Sequence, residues 1–275
     1  MRLIGLLLLI LVISTLFSCE KEVDFANAGG GNGSPDVLLQ KLVSKSGLDS
    51  STLEFGYNSS KNLVTLNTID VTSGTTSVTQ ERVERNSQGI IQRLIIKDEQ
   101  YQQVGLDSVV TVMEYSSGRY TSKVTTLDLG IVIFRDSVAL IYDAQGKVIT
   151  ERIYDDLATG SYEENSKIEY TYSGNNIATI KQYSYDGTTY SLVVTYSYDE
   201  YDNKVSPMNI GFDAFVFDAP AMYSSNNPTK SSIADSGSSQ TFTTTYTYNS
   251  ANKPLTGTSI IQPGNSTATA TYYYQ

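Results

Sequence analysis

Two pairs of acids, Asp155-Asp156 and Glu163-Glu164, come nearest in this chain to an arrangement that could do chemistry. Glycoside hydrolysis needs two carboxylates across a cleft. Both pairs flank Gly160 in a hairpin turn, where acids are ordinary solvated groups. Asp199, Asp202 and Asn203 offer oxygens to a calcium ion, but they lack the full ligand spacing and read as turn formers. The chain has no His, so the usual general base and the commonest metal ligand are missing. Its single thiol, Cys19, lies behind an apolar leader. Nucleophile-elbow, phosphate-loop and calcium-loop spacings are absent. The sequence therefore assigns no catalytic residue, no metal ligand and no cofactor, and reads as a non-enzyme.

The elements that would hold such groups are built on a tyrosine pattern. In Tyr190 to Tyr198, Tyr190, Leu192, Val194, Tyr196 and Tyr198 share one strand face, with Ser191, Val193, Thr195 and Ser197 opposite. Asp199 to Asn203 is turn chemistry, and Lys204-Val205 resumes the strand. Copies line up on the second tyrosine. They are Phe55-Gly56-Tyr57-Asn58, Leu140-Ile141-Tyr142-Asp143, Tyr170-Thr171-Tyr172-Ser173 and Tyr246-Thr247-Tyr248-Asn249, with fainter ones at Arg85-Asn86 and Tyr115-Ser116. The repeat is roughly 28 residues, room for two strands and two turns, so the chain holds roughly a dozen or more antiparallel strands. The fold class is all-β, a meander of hairpins curling into a water-soluble, barrel-like sheet.

Asp36 to Ser46 admits a short helix capped by Ser34-Pro35 and running through Val37, Leu38 and Leu42, but the repeat makes Leu39 to Ser46 the first strand. Ile131 to Phe134 and Val138 to Tyr142 are apolar on both faces, which predicts cover on both. An insertion at about 206–240 carries Met208, Phe212, Phe215, Phe217 and Met222 among prolines; it either crosses a sheet face or plugs an open end. Its Ser231 to Ser239 end reads as a loop.

At the start, Met1-Arg2, an apolar run and Leu16-Phe17-Ser18-Cys19 resemble a bacterial lipobox. Residues 1–18 are then a signal peptide cleaved between Ser18 and Cys19, and Cys19 carries lipid. Glu20-Lys21-Glu22 resembles the surface-export signal of lipoproteins of the Bacteroidota. Residues 19–35, with Gly29-Gly30-Gly31, form a flexible tether, and 36–275 form a single domain. The formal charge of -10 excludes nucleic acid as a partner. One Cys excludes an internal disulfide. Ser108 and Ser137, each between Asp and Val, resemble the O-glycosylation acceptor of the same bacteria.

Tyr198-Asp199 through Pro207, Asn226 to Lys230, and Tyr246 to Pro254 together resemble a family of Bacteroidota lipoproteins with a domain of unknown function and porin-like fold. They also look distantly like the YD repeats of Rhs-type surface proteins. The family resemblance implies a large curled antiparallel sheet and no activity. The sequence thus reads as a monomeric outer-membrane lipoprotein, displayed at the surface, held to the membrane by its lipid, with a binding or structural role. A glycan-binding module of the envelope is the first alternative and an outer-membrane β-barrel the second. The Tyr-rich face and the Ser/Thr-rich opposite face suit water better than lipid.

Overall fold

A computed structural model describes residues 38–128, 133–157 and 161–275. The strands are β1 (Leu39–Ser46), β2 (Asp49–Tyr57), β3 (Leu63–Thr72), β4 (Thr75–Arg85), β5 (Ile91–Asp98), β6 (Val109–Ser116), β7 (Arg119–Asp128) and β8 (Ile133–Tyr142). They continue as β9 (Val148–Leu157), β10 (Glu163–Ser173), β11 (Asn176–Tyr185), β12 (Tyr190–Val205), β13 (Asn226–Asp235), β14 (Ser239–Tyr248), β15 (Pro254–Gln262) and β16 (Ser266–Tyr274). Each pairs antiparallel with its neighbours in sequence, and β16 closes on β1, so the sixteen strands form a barrel. Helix α1 (Glu99–Gln103) links β5 to β6, with Asp98 capping it by accepting from the Gln100 N–H. Helix α2 (Asp213–Val216) and a 3-10 turn (Pro220–Tyr223) lie between β12 and β13.

The meander puts the start of every odd strand, and the end of every even one, at one end of the barrel, here called the near end. Four of its turns share one design. Asn58, Asn86, Asp143 and Asn249 each accept two backbone N–H groups through Oδ1, at the second and fourth following residues. The third following residue, Lys61, Gly89, Gly146 or Asn252, takes a positive φ. Asx side chains favour such local bonds, and Gly and Asn tolerate that backbone.

Tyrosines in the near-end halves of the even strands explain the repeat. Tyr57, Tyr142, Tyr172, Tyr201 and Tyr274 donate from their hydroxyls to the carbonyls of Leu39, Tyr120, Val148, Ile177 and Pro254, at 2.5–3.0 Å. Tyr246 does the same to Pro228 at 2.9 Å. Each bond ties the end of an even strand to the start of the odd strand before it. Between β3 and β4 the tyrosine is replaced by Arg85, whose Nη2 donates to the Leu63 carbonyl at 3.2 Å. The ring body fills the lumen while the hydroxyl satisfies a strand-end carbonyl.

Alternation sends Leu42, Leu53, Phe55, Leu66, Val83, Leu94, Met113, Leu140, Ile168, Tyr170, Ile180, Tyr196 and Tyr198 inward, where they are buried. Thr243, Thr245, Thr247, Arg82, Arg93, Arg152 and Glu114 face out and are exposed. The strand expected at Leu39 to Ser46 is present.

Several expectations are corrected. The insertion ends at 225, because Asn226–Asp235 is strand β13; its Ser231 and Ser232 pair with β12 and β14. Asp199 to Asn203 is not a turn but a bulged part of β12. There Asp202 accepts from the N–H groups of Lys204 and Asn227, so its local bonding serves a bulge. Tyr190 and Leu192 do not share a face with Val194. Gln182 pairs with Val194 and Tyr183 with Leu192, so Val193 is an extra residue and the alternation before it is inverted, with Tyr190 and Leu192 outward. The equivalent of the other second tyrosines is Tyr201, not Tyr198, because β12 shifts register again after Tyr198 and it is the Tyr201 hydroxyl that reaches a strand-start carbonyl. Residues 131–132 lie outside the described residues. Farther along that run Val138 and Leu140 are buried inward but Ile141 is 38% exposed, so only the inner face is covered.

Candidate functional site: the plugged lumen

Residues 206–225 leave β12 at the near end, enter the lumen and return to β13. Their neck is closed by Ser206 N–H to Ser225 O at 2.8 Å and Ile210 N–H to Met222 O at 3.0 Å. Of the two alternatives left open by the sequence, the segment takes the plug. Ala214, Phe215, Val216, Phe217, Ala219 and Met222 are buried against the inner wall. Phe212 stacks on Tyr120 with centroids 4.5 Å apart, Phe215 meets Tyr170 edge-on at 5.3 Å, and Tyr223 meets Tyr172 edge-on at 5.8 Å. Irregular apolar sequence can sit here because the wall supplies both ring surface and polar partners.

Two charged contacts pin the plug. Arg85 closes on Asp213, the first residue of α2, with both side chains largely buried. On the far side Lys123 donates to the Phe215 carbonyl at 2.9 Å and pairs with Asp218. Glu151 lies 3.4 Å from the same ammonium and accepts from the Tyr170 hydroxyl at 3.2 Å. Asp218 has a φ of 51°, the left-handed turn that reverses the chain after α2. Lys123, Glu151 and Glu81 are 3–6% exposed.

Burial alone would drive Lys123 toward its neutral form, but Asp218 and Glu151 overcome that and hold the ammonium charged. Burial pushes the Glu151 carboxyl up, against the pull of Lys123. Glu81 is pushed up to about 8 by burial and by the Asp218 charge, so it is protonated at neutral pH. At the other end of the lumen, burial and the facing Asp155 carboxylate raise Asp136 to about 6. The Lys123 cluster is one cation clamped by two carboxylates and a carbonyl, an arrangement that fixes the plug.

Cys19, Ser18, Glu20, Lys21 and Glu22 lie outside the described residues. Ser108 stands just before β6, and Ser137 sits within β8, paired with Val124 and Tyr154. The two acid pairs lie in β9 and β10, where Asp155 and Glu163 are cross-strand partners, and the remaining contacts of these acids go to different neighbours. Asp155 faces Asp136 and accepts from Asn165, Glu163 is exposed, and Glu164 bonds Tyr190 and faces Arg152 on the outer wall. Asp202 is a junction, accepting from Asn227 Nδ2 at 2.9 Å and from the Tyr248 hydroxyl.

Sequence reasoning missed Glu81, Lys123 and Glu151. The signal was there: each is a charge in the inward phase of an alternating strand, as in Glu81-Arg82-Val83 and Glu151-Arg152-Ile153.

Neither a protein-family model nor a curated protein matches this sequence. Solved structures do. A porin-like protein from Bacteroides uniformis matches with a TM-score of 0.54 and 16% identity, over 89% of this chain and 99% of that one. A porin-like protein from Bacteroides vulgatus matches with a TM-score of 0.49 and 12% identity, over 87% and 99%. The likeness to the first is one of fold: the porin-like barrel implied by the sequence is the architecture of this chain.

Proposed function

We propose that this chain is a water-soluble, internally plugged barrel of the bacterial cell envelope, held to the outer membrane by lipid on Cys19. Its role is non-enzymatic, binding or structural. In this reading Glu20-Lys21-Glu22 direct it to the surface, Ser108 and Ser137 are its glycan acceptors, and it works as a monomer.

The observation that carries the reading is the polarity of the outer wall. Lys41 and Glu54, Arg82 and Glu84, and Lys167 and Glu169 form ion pairs on strand faces directed away from the lumen. A membrane barrel turns an apolar band outward, and Arg or Lys facing lipid at mid-bilayer costs about 2–4 kcal/mol each. Tyr170, Tyr196, Tyr198 and Phe242, which a lipid-facing wall would turn outward, are buried on the lumen side instead.

A membrane-spanning barrel is the second reading, favoured by closure of sixteen strands, a number at which membrane barrels enclose a channel. One experiment separates the two. Residues 20–275, made without leader or lipid, are expected to be soluble without detergent, rich in β structure by circular dichroism, and silent in planar-bilayer conductance. Folding only in detergent, with discrete conductance steps, would replace the first reading by the second. Separately, Cys19→Ser should abolish acyl labelling and release the chain from the membrane fraction; a variant that still carries lipid refutes the anchor.

A further inference from the structure

The outer wall of β9 to β12 departs from the rest of the surface. The extra residue at Val193 turns Tyr190 and Leu192 outward, where plain alternation from Val194 would have sent them into the lumen. They join Tyr183 and Tyr185 of β11. Tyr185 and Tyr190 have centroids 4.7 Å apart, and Tyr183 meets Tyr190 edge-on at 6.5 Å. Leu192 beside them is 53% exposed. Bulges recur beside functional sites because they re-aim side chains.

The rings are held in place by charged neighbours rather than by a core. Lys167 Nζ lies 4.6 Å from the Tyr183 centroid and 4.3 Å from that of Tyr190, and bonds Glu169 at 2.5 Å. The Tyr190 hydroxyl donates to Glu164, which faces Arg152. Tyr183 is bonded to Glu169, and Lys181 adds a further cation beside that carboxylate. The cluster has three cations, Arg152, Lys167 and Lys181, against two carboxylates, Glu164 and Glu169, on a chain of formal charge -10. A near-neutral, pre-ordered group of rings and hydrogen-bonding groups fits a ligand that is uncharged, rich in hydroxyls and flat on one face. Both carboxylates already face cations, leaving a balance of one positive charge, so a charged ligand would find few free partners here, and pre-ordered rings lose little freedom on binding.

We infer that this outer tyrosine cluster, Tyr183, Tyr185, Tyr190 and Leu192 with Lys167 and Glu164, binds a neutral polysaccharide by stacking sugar rings on its aromatic surface. The inference rests on the reading that the outer wall meets water. That reading fails by its own test, folding only in detergent, whatever the sugar result.

The full chain, purified in mild detergent, is run in native gels cast with hydroxyethylcellulose, arabinoxylan, laminarin or amylopectin. At least one gel should retard it. Retardation should weaken at least tenfold in Tyr185→Ala/Leu192→Ala and persist in Tyr115→Ala, which removes an exposed ring from another strand. In the wild type, nitration of Tyr185 and Tyr190, mapped by mass spectrometry, should slow when the retarding polysaccharide is added, a readout that needs no variant to fold. No retardation in any gel, equal retardation of the double variant, or unchanged nitration overturns the inference. Protection that rises with protein concentration without sugar overturns it too, and marks the cluster as a contact between copies of the chain.

Discussion

Arg85 of the barrel wall and Asp213 of the plug meet side chain to side chain across 128 residues of sequence. The same guanidinium takes the strand-end carbonyl of Leu63, the place that tyrosine hydroxyls fill elsewhere. One substitution in the repeat therefore serves both the wall and the plug. Arg85→Tyr should restore the repeat and still lose about 3 kcal/mol, because it leaves the Asp213 carboxylate buried without its cation. Arg85→Tyr/Asp213→Asn should recover most of that loss. Urea unfolding of the four members of the cycle measures it; a double variant whose loss equals the sum of the two single losses would mean that the pair does not couple.

Tyr198 and Tyr201 make a sharper test of the corrected alignment. The Tyr201 hydroxyl donates to Ile177 O at 2.6 Å and shares a 3.1 Å contact with Ser224. The Tyr198 hydroxyl is buried without a partner. Tyr201→Phe should lose about 1 kcal/mol, while Tyr198→Phe should be neutral or stabilising, since it removes an unpaired buried group. Tyr198→Ala should lose about 3 kcal/mol or more, because its ring is core. If the two Phe variants melt alike, the repeat has been aligned on the wrong residue.

Glu81 sets a pH dependence of unusual sign. Its carboxyl is raised to about 8 in the fold, so the folded chain holds this proton more tightly than the unfolded chain. Stability from this group is fully present below the usual glutamate range and is lost as pH rises toward 8. Asp136, raised to about 6, acts in the same direction at lower pH. Glu81→Gln should leave the melting temperature nearly unchanged at pH 5 and raise it relative to wild type at pH 9. A wild-type melting temperature that does not fall between pH 5 and 9, with no gain in the variant, would show that Glu81 is ionised throughout.

Removing the plug tests what it covers. A chain with 208–222 replaced by a short Gly-Ser link should bind a hydrophobic dye and melt lower, because Leu63, Ile91, Val148 and Ile177 lose their cover. Unchanged dye binding and melting would mean that the wall is stable without it.

The architecture was legible because it repeats. Tyr57-Asn58 and Tyr142-Asp143 each combine a strand-end anchor with an Asx turn, as Tyr246 and Asn249 do three residues apart, and both functions are local chemistry. What was not legible depended on single-residue slips. The bulge at Val193 shows no compositional mark, and it inverts Tyr190 and Leu192; separate register shifts between Tyr198 and Tyr201 leave Tyr201 as the anchor. Ser231 to Ser239 looked like a loop because serine favours loops, yet pairing with β12 on one side and β14 on the other outweighs that preference. Helix α1 was missed although Asp98-Glu99 is a start signal, a capping acid followed by an acid in the first turn. The plug was visible as apolar residues among prolines. Its contacts with Arg85 and Lys123 join residues that no local pattern connects.

The seam between β1 and β16 bears on how the chain is made. Each other pairing can form as soon as its two neighbouring strands exist, but the ring shuts only when Ser266–Tyr274 finds Leu39–Ser46. Until then the sheet has two open flanks, each a row of unpaired backbone groups, and such flanks recruit other chains. Synthesis thus carries a vulnerable interval that ends with the last strand. A chain halted before Ser266 would keep both flanks for its whole life, which makes late truncation more damaging here than in an open sheet of the same size.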